Sequence, residues 1–509
     1  MRRFFKTVLI VTVFSICEKF LGFLYRIYLS RTIGAEGVGL YQVSLSVFAF
    51  LLTICCSGTP ITVSRLMTKY QSQNQNDRTR KVVTAGIVFT ALIASVICLL
   101  GFVFKNYLKL IFADDRCNSI FLVVLPGIIF TSVYAVLRGV FWGNKDFLPY
   151  SVIELLEEIC MILVGVLLIN RASGVFEGAF RAGVAVLVSY VFSFSVATTV
   201  FFIRKNKLAN PVSELKPLLS SAMPVTAMRT VNSLAVSLVS IILPLRLIAS
   251  GLNESEAMSL FGAALGQAIP LLFIPTTLIG SFTLVIVPEI AENYYKKRSD
   301  FLRKDVEKTV KFTLFLTCLF VPVFFVLGNQ IGVMIFGSTD CGKYVRASSY
   351  LMIFIGLSNI TTSILNSIGQ ENKALVFCMI SGAFMLLSIW FLPKIIGIYA
   401  LLVGFSFVYG LTTLLNIMLL YKKMPIKPKI FKFSFSSILL LLPTIFLGEM
   451  LKRLLLSCLG TFLTVMIVSS VLVLFLGACF FGFNLVEFNM VKSTLFSKKK
   501  KKQDSLSYA

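Results

Sequence analysis

Runs of about twenty predominantly apolar residues, the length that crosses a bilayer core as a helix, recur along almost the whole chain. Fourteen can be marked, at roughly residues 8–30, 39–63, 82–104, 118–140, 150–170, 177–203, 217–245, 258–287, 309–328, 347–367, 373–393, 396–421, 433–451 and 457–482. Inside lipid each backbone N–H and C=O must be satisfied internally, so such runs can only be helices. The expectation is an all-α polytopic membrane protein with about 14 transmembrane helices. With 57% hydrophobic and 14% charged residues, the chain has little left for a soluble domain.

The net charge of +25 would point to nucleic acid in a soluble protein. Here its distribution gives another reading, because basic residues collect in cytoplasmic loops. With the N-terminus inside, 33 of the 48 Lys and Arg fall on the cytoplasmic side and 11 outside. An even span count then puts both termini in the cytoplasm. MRRFFK precedes the first run as in a signal peptide, but Glu18, Lys19 and Arg26 and the lack of a small-residue cleavage site mark a retained span. Nucleic acid is not an expected partner.

The two halves repeat at 221–228 residues. LRGVFWGNK (Leu137–Lys145) aligns on LNSIGQENK (Leu365–Lys373), Ala179 and Gly183 on Ala400 and Gly404, and Ser64-Arg65-Leu66 on Pro288-Glu289-Ile290. Arg204-Lys205 and Lys422-Lys423 close the matching segments. The repeat divides the chain into an N-lobe at 1–210 (spans one to six), a C-lobe at 211–430 (spans seven to twelve), spans thirteen and fourteen at 431–490, and a basic cytoplasmic tail at 491–509. Two six-helix lobes in pseudo-twofold repeat around a central cavity, plus two extra helices, are the expected architecture. Pro224, Pro244, Pro270 and Pro275 interrupt the seventh and eighth spans.

There are no histidines, hence no triad of the usual kind and no common metal ligand. No phosphate loop or soluble acidic pair appears, so neither a catalytic site nor a metal site is expected. The 11 cysteines lie mostly in apolar spans and suggest no disulfide framework. What remains is charge at membrane depth, which is costly and therefore functional by default. Lys19 and Arg26, two turns apart, share a helix face. With Arg65 and Arg229 they form a candidate patch for an anionic substrate, since Arg grips phosphate as a bidentate fork. Arg65 also fits simple snorkelling at the interface, as does Arg181. Glu18 can neutralise Lys19 or Arg26. Glu154, Glu157 and Glu158 open span five; a helix N-terminus favours them, and Glu157 or Glu158 is a candidate for cation coupling. Asn232, Ser233, Gln267 and Thr283 either line a cavity or glue helices together.

LGFLYRIYLSRTIGAEGVGLYQ (Leu21–Gln42), the LRGVFWGNKDFLPY loop and LLEE of span five resemble the polysaccharide flippases of the multidrug/oligosaccharidyl-lipid/polysaccharide exporter superfamily, in the branch of stage V sporulation proteins and lipid II flippases. The resemblance covers essentially the whole chain. It implies two six-helix lobes around a V-shaped cavity. It also implies flipping of an undecaprenyl-pyrophosphate-linked saccharide, lipid II or a related wall or polysaccharide precursor, from inner to outer leaflet by alternating access. Lys19 stands where the lipid II flippases carry an arginine, Arg26 one place after their second, and Glu157 best matches the branch's span-five acid. Head-group phosphates would sit on Lys19, Arg26, Arg65 and Arg229, and the lipid tail in a groove made with spans thirteen and fourteen. No cofactor is implied; membrane potential, H+ or Na+ would drive the cycle. Membrane lipids and cell-wall synthesis enzymes are the expected partners, and the bacterial plasma membrane the location. A cation-coupled multidrug exporter and a non-transporting wall-synthesis scaffold are the alternatives.

Overall fold

The computed structural model describes residues 2–204, 207–424 and 430–483, with side chains from residue 11 onward except at eight positions between 277 and 288. The basic tail at 491–509, the last residues of the 431–490 segment and Lys205 lie outside the described residues.

The described chain is helical throughout. In order come α1 (Arg2–Cys56), α2 (Thr59–Ser72), α3 (Asn76–Val103), α4 (Lys105–Leu108), α5 (Asp115–Val124), α6 (Gly127–Gly143), α7 (Phe147–Ile169), α8 (Val175–Ile203), α9 (Val212–Ile248) and α10 (Glu254–Phe261). A π-helical turn, Gly262–Ala268, leads to α11 (Ile269–Tyr295). Then follow α12 (Ser299–Phe336), α13 (Thr339–Ser348), α14 (Leu351–Ser367), α15 (Glu371–Phe391), α16 (Pro393–Ile396), α17 (Ala400–Phe405), a second π turn, α18 (Thr412–Lys423), α19 (Ile430–Leu439), α20 (Leu441–Leu456) and α21 (Thr461–Gly482).

Among the described residues ten stretches are long and apolar enough to cross a membrane, or twelve when the bent pairs α5–α6 (45°) and α13–α14 (57°) each form one span. One stretch, Val11–Ser72, is 62 residues long, roughly 90 Å of helix and three bilayer cores. It is two spans, broken at Gly34, whose φ of 72° lies in the left-handed region. The 23-residue α7 is also long enough to span, and is apolar apart from Glu154, Glu157 and Glu158. Two spans in the first stretch, together with α7, restore the fourteen read from the sequence.

The repeat is visible in the element bounds. α5 and α13, α6 and α14, and α7 and α15 begin 224 residues apart, and α3 and α12 begin 223 apart. Both bent pairs fall at the same place in the repeat.

The chain forms two compact units, Met1–Gln267 and Ala268–Ala509. In the first, α1 packs on α5, α7, α8, α9 and α10, while α6 packs on α2, α3 and α8. Val63, Val82, Val136, Phe141, Phe201 and Leu218 form the centre of one apolar core. The first unit thus includes α9, which opens the second repeat. α9 stays continuous for 37 residues despite Pro217, Pro224 and Pro244 in its interior. In the second unit α12 is the hub, touching α11, α13, α14, α19, α20 and α21. Arg346 of α13 bonds Glu449 at 3.1 Å, and Lys452 reaches the Val326 carbonyl of α12 at 3.0 Å, so α20 is pinned to both helices.

Close packing in the first unit joins α1 to the α10 end. A methyl on Gly39 would overlap the Met258 carbonyl, and one on Gly262 the Ala35 carbonyl. Small residues here let two backbones touch, as at close helix crossings in membranes. Gly39→Val and Gly262→Val are therefore expected to destabilise the fold by about 1–3 kcal/mol each, read as a lowered thermal-unfolding midpoint in detergent. Gly397→Ala, at a positive-φ site with open space for a methyl, controls for backbone strain alone.

Candidate functional site

In an α-helix the carbonyl of Gly266 would accept the amide four residues ahead. That residue is Pro270, which has no N–H. The freed carbonyl lies in the π turn and accepts from the Arg26 guanidinium of α1 at 3.2 Å. One helical turn along α1, the buried Ser30 hydroxyl accepts from the Gln267 amide at 2.8 Å. Arg26 is therefore held in the span by a carbonyl rather than by an acid. Its guanidinium has five N–H donors, and this bond uses one.

α7 presents three carboxylates in three directions. Glu154 pairs with Arg138 of α6 at 3.2 Å, and Arg138 stacks over Trp142 with 5.3 Å to the ring centroid. Glu157 turns to α8 and the Ser193 hydroxyl. Glu158 turns to α1. A methyl on Gly22 would stand 2.9 Å from its Oε1, and Glu158 lies within electrostatic reach of Glu18 and Arg26. Gly22 thus leaves the space that the carboxylate fills. On the same interface the Tyr25 ring covers Gly165 of α7, and the Tyr28 hydroxyl donates to the Asn170 side chain at 2.7 Å.

The structure thus gathers Glu18, Arg26, Glu157 and Glu158 where α1, α7 and α8 meet. The N-terminal dipole is not the explanation for Glu154. α7 begins at Phe147, seven residues before it, and the dipole fades within the first turn. Lys19 is exposed and senses Glu18. Arg65 on α2 is exposed. Arg229 on α9 is also exposed and donates to the Ser57 carbonyl at 3.1 Å, at the break between α1 and α2. No recorded bond links Arg65 or Arg229 to Arg26 among the described residues. Arg181, read as snorkelling, instead closes the neighbouring helix end, donating to Leu168 O at 2.8 Å and pairing with Glu177. Among the described residues no group of three His, Cys, Asp or Glu side chains is placed to hold a metal.

Arg138 is the group that the sequence reading misplaced, counting it with a loop. It lies inside α6. An arginine five residues before the end of one span, followed across a short turn by a glutamate in the next, was the available signal. Chemically the cluster can bind an anion on Arg26 and can take up a proton or a cation on a glutamate.

A family model described as "Polysaccharide biosynthesis protein" matches residues 4–294, more than half of the chain. Stage V sporulation protein B of Bacillus subtilis (strain 168) is 22% identical over 448 residues, 85% of this chain and 86% of the relative. Lipid II flippase MurJ of the same organism is 23% identical over 416 residues, 73% and 74% of the two chains. Among solved structures, lipid II flippase MurJ in an inward closed conformation superposes with a TM-score of 0.68 at 15% identity, covering 94% of this chain and 100% of that one. An inward-facing multidrug resistance MATE family transporter of the MOP superfamily gives 0.65 at 14% identity, covering 80% and 94%. The two solved structures share the fold; one is a flippase and the other a transporter.

The Arg138–Glu154 pair should behave as a unit. Arg138→Ala and Glu154→Ala are each expected to lose about 1–3 kcal/mol by stranding a charged partner. The double variant should lose less than the sum, because no stranded charge remains. Thermal unfolding of the four proteins in one detergent measures this coupling, and strict additivity would contradict it.

Proposed function

Because this chain belongs to the polysaccharide biosynthesis protein family, we propose that it flips an undecaprenyl-pyrophosphate-linked saccharide, lipid II or a related wall or polysaccharide precursor. Transport runs from the inner to the outer leaflet of the bacterial plasma membrane by alternating access, with both termini in the cytoplasm. The observation that carries this reading is Arg26, a guanidinium inside a span, anchored to the Gly266 carbonyl with donors to spare. Pyrophosphate oxygens are the natural acceptors for such donors. The named relatives support the substrate class.

Arg26 makes the first phosphate contact in this proposal. Lys19, Arg65 and Arg229, all exposed, hold the head group as it enters and leaves. Glu158 competes with the substrate for Arg26. Uptake of H+ or Na+ at Glu158, relayed from Glu18 or Glu157, releases Arg26 to the phosphate, and membrane potential biases the cycle by about 2.3 kcal/mol per charge per 100 mV. The lobes at 1–210 and 211–430 move, and the segment at 431–490 holds the lipid tail. Enzymes that make or consume the precursor are the expected partners. One observation favours a second reading, a cation-coupled multidrug exporter: four glutamates, Glu18, Glu154, Glu157 and Glu158, crowd the same helix junction.

Complementation of a strain depleted of its lipid II flippase tests the proposal. Wild type should restore growth. Arg26→Ala, inserted at the same level, should fail, with a flipping rate at least about tenfold lower, the worth of one charge-assisted hydrogen bond. Rescue by Arg26→Ala would remove Arg26 from the site. Failure of an inserted wild type would remove lipid II and turn attention to other precursors or to the exporter. Glu158→Gln, which keeps the shape and removes the charge, should bind substrate while losing dependence on the driving cation.

A further inference from the structure

A second basic site lies away from the α1–α7 junction, where the C-terminal ends of α2, α6 and α8 meet the start of α3. A cavity of about 170 Å³ opens there, lined by Gln71, Asn76, Arg80, Asn144 and Lys207 among others. Its cations are surplus. The acids nearby already have partners: Asp77 is bonded by Lys81 at 2.6 Å, Asp146 by Arg204, and the buried Glu214 by Arg78 at 3.4 Å and by the Tyr70 hydroxyl at 2.8 Å. Arg80 and Lys207 take part in no ion pair among the described residues, and both are exposed to the cavity side of the fold. The remaining polar lining is the Gln71, Asn76 and Asn144 amides and the Thr79 hydroxyl, beside apolar Met67, Val83 and Phe201. The Gln71 side chain donates to Asn144 Oδ1 at 2.8 Å, which fixes the orientation of the Asn144 amide. The segment carrying Lys207 is itself tied down, because Ala209 N donates to Thr84 Oγ1 of α3 at 3.0 Å.

Two unmatched cations of different reach, framed by amide donors in a pocket of this size, match a phosphate group. We propose that this cavity binds a phosphate-bearing anion, either free phosphate or the head group of an anionic lipid in the adjacent leaflet. The bound anion bridges Arg80 on α3 to Lys207 on the segment entering α9. It thereby holds that segment beside the Glu214 anchor. The site is independent of the flippase reading, since it shares no residue with the Arg26 cluster.

The full-length protein in phosphatidylcholine nanodiscs provides the test. Inorganic phosphate, titrated against chloride at matched ionic strength, should raise the unfolding midpoint saturably. The Arg80→Gln/Lys207→Gln double variant should weaken the apparent affinity for phosphate at least tenfold, and Arg80→Lys should retain most of it. In a second arm, phosphatidylglycerol replaces part of the phosphatidylcholine without added phosphate. A wild-type stabilisation that the double variant lacks in this arm alone identifies the lipid head group as the occupant; one seen with phosphate alone identifies the free anion. Identical responses of wild type and double variant in both arms overturn the proposal. The two single variants, compared in the same way, keep the test decisive where the double variant loses its fold.

Discussion

A guanidinium inside a membrane span and a carbonyl robbed of its donor by proline are each unfavourable alone. In this protein they meet. Pro270 leaves the Gly266 carbonyl without its in-helix amide, and Arg26 supplies the missing N–H from α1. A charge at mid-span is penalised by about 2.5–3.5 kcal/mol on insertion scales, and an unsatisfied carbonyl in lipid by a comparable amount. Pairing the two offsets both. It also fixes where the π turn lies against α1, and the backbone contacts at Gly39 and Gly262 follow from that register.

This anchoring has a chemical result. Had Arg26 been locked in a bidentate pair with a carboxylate, a phosphate would have had to displace a strong, charge-assisted bond. A neutral carbonyl holds the side chain in place while leaving its positive charge uncompensated, with Glu158 close enough to modulate it. In the proposed cycle the same junction would supply both an anion contact and a carboxylate that competes for it. That combination serves the proposed exchange between substrate and driving cation better than a purely cationic pocket would.

The fold class, the span positions and the repeat were legible because they rest on periodic signals. Apolar run length sets the spans, and the 224-residue spacing of the bent pairs falls within the 221–228 range read from the sequence. The break between the first two spans was legible as the gap between the runs at 8–30 and 39–63, but the bend at Gly34 was not, because φ at one residue leaves no trace in composition. The site was half legible. Glu157 and Glu158 stood out as charges inside a span, and Gln267 as a polar residue there. Which carboxylate meets which cation depends on helix rotation, and a rotation of one residue moves a side chain by 100°. That is why the pairing of Arg138 with Glu154 could not be read from the sequence. The grouping of α9 with α1 was hidden as well, since the repeat assigns it to the second half and only tertiary packing assigns it to the first.

The Arg26–Gly266 bond spans 240 residues of chain, and this separation bears on how the protein is made. Translation at about 5–20 residues per second leaves roughly 10–50 s between the emergence of Arg26 and that of its acceptor. Throughout that interval the first helix sits in the bilayer with its guanidinium, Glu18 and Lys19 lacking their final surroundings. A nascent chain ending at residue 210, just before α9, would still lack the α9, α10 and π-turn surface on which α1 packs. The helices of the first repeat therefore do not complete the surroundings of α1, which also packs on α9 and α10 and bonds the π turn.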